Sequence, residues 1–147
     1  MTIKQDIERY YNFWFTTDKI YDTWAKKQGI SINELFVLFV IAENPDTCTQ
    51  QRICQKLLLP KQTVNSILLK FEKEGYVKKQ PSRQDRRSKI LTFTEEGQRY
   101  ADGILLRLYD IEGTALYNMN PEVRTALLDG FDAFLEVLRQ AFEDAES

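Results

Sequence analysis

The sequence predicts a mainly α-helical protein with one small β-hairpin, and three observations carry that expectation. Apolar residues recur at steps of three and four near both ends, two short helical stretches in the middle are separated by a tight turn, and two β-prone runs flank the loop "PSRQDRR". At 147 residues with 43% hydrophobic content, the chain has enough apolar material for one packed core.

The first helix is expected over roughly residues 4–27, because Ile3, Ile7, Tyr10, Trp14, Tyr21 and Trp24 fall on one stripe with a heptad-like period. Gly29 ends it. "SINE" then reads as a capping box, with Ser31 as N-cap and Glu34 at the third helical position. The helix it opens is apolar nearly all round from Leu35 to Ile41, which predicts burial on most sides. Thr49 caps a short third helix, with Ile53, Leu57 and Leu58 expected inward. Pro60 suits the first turn of a fourth, where a missing N–H costs nothing, and Gly75 supplies its left-handed end. Two helices joined this tightly form a helix-turn-helix.

In the fourth helix Val64, Ile67, Leu68 and Phe71 share the inner face. Left outside are Lys61, Gln62, Thr63, Asn65, Ser66, Leu69, Lys70 and Lys73. Gln and Asn match adenine edges in a major groove, Ser and Thr bond bases or phosphates, and Lys reaches guanine or phosphate. The runs at 75–80 and 88–93 make a hairpin whose tip carries Arg83, Arg86 and Arg87, with Lys89 just past it. A hairpin directly after a helix-turn-helix is a wing, and guanidinium groups at its tip suit a narrow, electronegative minor groove. Thr94 caps the next helix, and Asn120 with Pro121 opens the last, which bears Val123, Leu127, Phe131, Phe134, Leu138 and Phe142. The stripes at both ends hold more apolar residues than one small chain covers, which predicts pairing with a second copy.

Charge follows this division. Residues 1–46 carry 5 basic and 7 acidic side chains, residues 47–101 carry 12 and 5, and residues 102–147 carry 3 and 10. The overall charge of −2 therefore hides a basic middle suited to a polyanion.

Other classes find little support. The chain has no histidine, the commonest general base near neutral pH and the commonest metal ligand, and it lacks Gly-rich phosphate loops and nucleophile-elbow motifs. No enzyme activity, metal or cofactor is expected. Cys48 and Cys54 read as free thiols, since six residues of spacing at a helix start exceed disulfide reach. No apolar run reaches the roughly 18 residues of a membrane span, and the N-terminus lacks the pattern of a secretory leader, so a cytoplasmic location is expected.

The segment "CTQQRICQKLLLPKQTVNSILLKFEKEGYVKKQPSRQDRRSKILTFTEEGQ" resembles the multiple antibiotic resistance regulator (MarR) family of winged-helix transcription factors. The specific part is "DRRSKILTFTEEG": Asp85 and Arg87, the spacing to Leu91 and Thr92, and Thr94-Glu95-Glu96-Gly97 opening the next helix. "FEKEGYV" matches too, with Phe71 where the family usually has Leu. The resemblance runs from end to end, although the ends match only as helices. It implies a homodimer on double-stranded DNA, with residues 31–94 as the winged helix-turn-helix and 1–30 with 95–147 as the dimerisation region. Carried over by position, Lys61, Gln62, Thr63, Asn65, Ser66 and Lys70 would read the major groove. Arg87 would enter the minor groove with Asp85 holding its guanidinium, Arg83 and Arg86 would support phosphate contacts, and Lys89 is a further DNA-binding candidate. Leu59 departs from the polar cap common in the family. The resemblance also implies release by a small aromatic ligand, for which Tyr10, Tyr11, Trp14, Phe36, Phe39 and Tyr109 are the candidate lining. The histidines and N-terminal cysteine used by metal- or oxidant-sensing members are missing here. A winged-helix protein-interaction module without an operator is the alternative.

Overall fold

The computed structural model describes residues 1–147 and contains eight elements: α1 (Ile3–Lys27), α2 (Ile32–Glu43), α3 (Gln50–Leu57), α4 (Lys61–Lys73), β1 (Val77–Pro81), β2 (Lys89–Phe93), α5 (Glu95–Asn118) and α6 (Pro121–Glu146). The chain divides into two compact units, Met1–Leu105 and Leu106–Ser147. No helix is long and apolar enough to cross a membrane.

The core of the first unit centres on α2. Leu35, Val37, Leu38, Val40 and Ile41 are all buried, as a helix apolar on most sides requires. Ile53 of α3, Val64, Ile67, Leu68 and Phe71 of α4, Val77 of β1, Leu91 of β2 and Ala101 and Ile104 of α5 join it, with Ile30 and Cys48 from the connecting segments. Only Ala25 of α1 is buried, so α1 enters this core by its C-terminal turn. Gln28 and Gly29, with φ +81° at the glycine, stop that helix, their N–H groups bonding back to Ala25 and Lys26 carbonyls at 2.9 and 3.0 Å.

Capping explains most of the boundaries. Thr49 Oγ1 accepts from the Arg52 N–H at 3.0 Å, and Asn120 Oδ1 accepts from Glu122 and Val123 at 2.9 and 3.3 Å, with Pro121 in the first turn of α6. Three local expectations are corrected. Pro60 is the cap residue of α4 rather than part of its first turn, with ψ 144°, and it offers no side-chain bond. Leu58 does not face inward: α3 stops at Leu57, Leu58 takes the left-handed conformation (φ 54°) that turns the chain toward α4, and it is 87% exposed. At α2, Ser31 Oγ accepts from the Glu34 N–H at 3.1 Å, but the glutamate side chain does not close the box, because it is taken by a residue of α4.

The hairpin is antiparallel, with Val77 opposite Phe93 and Pro81 opposite Lys89. The Leu91 N–H bonds the Cys48 carbonyl at 2.8 Å, fastening β2 to the segment before α3. In the second unit α6 buries no residue, and Val123, Leu128, Leu135, Val137 and Phe142 are 45% to 67% exposed.

Candidate nucleic-acid interface

Helix α4 presents its outer face as its apolar periodicity demands. With Val64, Ile67, Leu68 and Phe71 buried, Lys61, Gln62, Asn65, Ser66, Leu69 and Lys70 are exposed and Thr63 is half-buried. Gln50 Nε2 of α3 bonds the Lys61 carbonyl at 3.3 Å, so the first helix of the motif holds the start of the second. The Ser66 hydroxyl donates to the Gln62 carbonyl one turn back, at 3.0 Å. At the far end, Gly75 adopts φ +80°, and the bonds Gly75 N–H to Glu72 carbonyl (3.0 Å) and Tyr76 N–H to Phe71 carbonyl (2.9 Å) form a Schellman motif.

Lys70 is not free on this face. Its Nζ lies 2.9 Å from Glu34 Oε2, and that hydrogen bond pushes the lysine pKa above its ordinary value. The other predicted α4 residues have no such ion pair.

The wing tip is organised by short side chains. The Ser82 N–H bonds the Ser88 carbonyl at 2.9 Å, and Ser82 Oγ accepts from Gln84 and Asp85 N–H groups at 3.2 and 3.4 Å. Asp85 Oδ1 accepts from the Arg87 N–H at 3.0 Å, and the Ser88 hydroxyl donates to Asp85 Oδ2 at 3.4 Å. Asp85 thus grips the backbone of Arg87, where the sequence led us to expect a grip on its guanidinium. Arg83, Arg86, Arg87 and Lys89 are all exposed around this turn.

The six aromatic candidates are spread over three helices, α1, α2 and α5. Tyr10, Tyr11 and Trp14 cluster on α1, with Tyr11 and Trp14 stacked at 6.3 Å and 12°. Phe36 pairs instead with Tyr21 at 5.9 Å. Phe39 is partly exposed in the first unit, and Tyr109 belongs to the second, 72% exposed. None of the six lines the cleft of about 670 Å³ between the wing and the residues preceding α3, whose walls include Asp46, Thr49, Gln80, Ser82 and Thr92.

Comparison with known proteins places this arrangement. Over 98% of the chain and 99% of its counterpart, the fold matches NMB1585, a MarR family regulator from Neisseria meningitidis, with a TM-score of 0.74 and 25% identity. Residues 28–88 match the model of the MarR family. The chain is similar to MarR family regulators, and residues 28–88 carry that family's pattern. Its MarR-type fold also matches Streptococcus pneumoniae FabT, solved in complex with DNA, with a TM-score of 0.75 and 21% identity over 95% of this chain and 99% of that one. In sequence it is 27% identical over 120 residues to YfiV of Bacillus subtilis, an uncharacterized HTH-type transcriptional regulator, covering 82% of this chain and 72% of that protein. Within the MarR frame, Glu34 is the residue that sequence reasoning assigned to the wrong partner: its position fits a cap, and only the tertiary fold brings Lys70 beside it.

Proposed function

We propose that this chain is a MarR-type, sequence-specific DNA-binding transcriptional regulator that acts in the cytoplasm as a homodimer, repressing from a pseudo-palindromic operator. One observation carries the reading: a polar, exposed α4 face and a basic, internally bonded wing tip stand in the same unit as a helix-turn-helix. Lys61, Gln62, Thr63, Asn65 and Ser66 contact base edges and phosphates in the major groove. Arg87 enters the minor groove from a turn preset by Asp85, and Arg83, Arg86 and Lys89 neutralise phosphates. Two such units on one face of the duplex need recognition helices about 34–36 Å apart. The exposed apolar side chains of α6 support the dimer, whose interface is formed by residues 1–30 and 95–147. The clustered Tyr10, Tyr11 and Trp14 support an aromatic effector that shifts the helix spacing.

The test is a fluorescence-anisotropy titration with the DNA upstream of the protein's own gene and with random duplex, each at two salt concentrations. Tighter binding to the upstream DNA at both salts, falling steeply as salt rises, is the expected result. Equal, salt-erased binding to both duplexes would defeat the reading and favour a protein-interaction module.

A further inference from the structure

Glu34 and Ser31 have the residue types of a capping box, in which the glutamate turns back to the N–H of the cap residue. Here Glu34 crosses to another helix and accepts from Lys70 Nζ at 2.9 Å, a contact between residues 36 apart in sequence. Its side chain is only 14% exposed, while that of Lys70 is 45% exposed. Moving this lysine onto a phosphate would leave a mostly covered carboxylate without its cation, and would bring the phosphate toward Glu34 and Glu74, the two carboxylates that act on Lys70.

The same end of α4 is held from other sides. Thr94 Oγ1 donates to the Gly75 carbonyl, and Tyr76 stacks on Tyr100 of α5 with centroids 4.1 Å apart and rings 6° from parallel. The last turn of α4 is therefore held to α2 by an ion pair, and the Gly75–Tyr76 segment that follows it is held to Thr94 by a hydrogen bond and to α5 by a ring stack.

We infer that Glu34 and Lys70 form a positioning pair for α4, with Lys70 acting through Glu34 and not through a phosphate. Its consequence for binding rests on the DNA reading above. Its effect on α4 in the free protein does not.

The experiment uses the full chain with Glu34→Gln, Lys70→Met, the double variant and the conservative Lys70→Arg. Amide hydrogen exchange of α4 is followed without DNA, and affinity for the upstream DNA is followed over a salt series. Each single variant should speed exchange in the last turns of α4 and weaken binding by about fivefold, the reach of a half-exposed pair. The double variant should be no worse than either single one, and Lys70→Arg should retain both properties. The slope of log affinity against log salt should be the same in Lys70→Met as in the parent. A phosphate contact gives the opposite signs: a slope shallower by about 0.9, and tighter binding by Glu34→Gln. Either result, or unchanged exchange in both single variants, would overturn the pairing role. Faster exchange in a protein whose parent shows no preference for the upstream DNA would overturn the DNA reading and leave the positioning role standing.

Discussion

The backbone of Tyr76 passes so close to Gly97 that a β-carbon on Gly97 would lie 1.8 Å from the Tyr76 carbonyl oxygen. The neighbouring atom is main chain and cannot swing aside. Gly97→Ala must therefore part the first turn of α5 from the start of the hairpin, and we expect a loss of about 2–3 kcal/mol in urea unfolding. Retention of parental stability would show that the two segments separate cheaply.

Leu58 offers the reverse case. It holds φ 54° with 87% of its surface exposed, so it suffers the strain of the left-handed region with almost no packing in return. Leu58→Gly should raise stability by about 0.5–1 kcal/mol, measured as a shift of the urea midpoint.

On the proposed DNA-binding reading, Arg87→Ala should weaken binding to the upstream DNA by about 1–3 kcal/mol with no change in melting temperature. Asp85→Ala should also weaken it, by about 1 kcal/mol, because the Arg87 N–H and the Ser88 hydroxyl lose their acceptor. Anisotropy titrations of both variants decide this; a neutral Asp85→Ala would mean that the turn needs no presetting.

Cys48 is fully buried, and burial pushes its thiol pKa up from 9.0 to about 11. At neutral pH it stays protonated in folded and unfolded chains alike, so it adds no pH dependence there. Between pH 9 and about 11 the unfolded thiol ionises first, and stability falls as pH rises. Cys48→Ala should make the alkaline limb of the stability profile shallower. Thiol titration at pH 8 should modify the half-buried Cys54 first and Cys48 only on unfolding.

The proposed dimer is open to sedimentation analysis. Glutamate at both Leu135 and Val137, which are 56% and 67% exposed, should shift the protein toward the mass of a single chain. An unaltered dimer would place the interface elsewhere.

Much of this fold is legible because local chemistry and global packing agree. Thr49, Gly75, Asn120 and Pro121 each mark a boundary by satisfying or terminating backbone bonds within a few residues, and the structure keeps them. Val64, Ile67, Leu68 and Phe71 declare the inner face of α4, which leaves its outer face known by subtraction. The failures share a cause. Glu34 has one local and one distant suitor, and only the approach of α4 to α2 decides for Lys70. Leu58 looks like core by residue type, but the turn geometry lifts it out. The resemblance matched Asp85 to a guanidinium, whereas a short side chain in a turn finds N–H groups nearer at hand. Gly97 was legible as part of a motif, but its reason, a carbonyl from a segment twenty-one residues earlier, was not.

The bond from Leu91 to Cys48 also bears on how the wing avoids its own kind. A hairpin has two open sides, and each is a template for a strand from another molecule. The Cys48 carbonyl occupies part of the side belonging to β2. The side belonging to β1 carries exposed Lys78 and ends in Pro81, which has no N–H to offer. A like charge and a missing donor meet any second hairpin that tries to add there. Both edges of the wing thus carry a feature that opposes pairing with another strand.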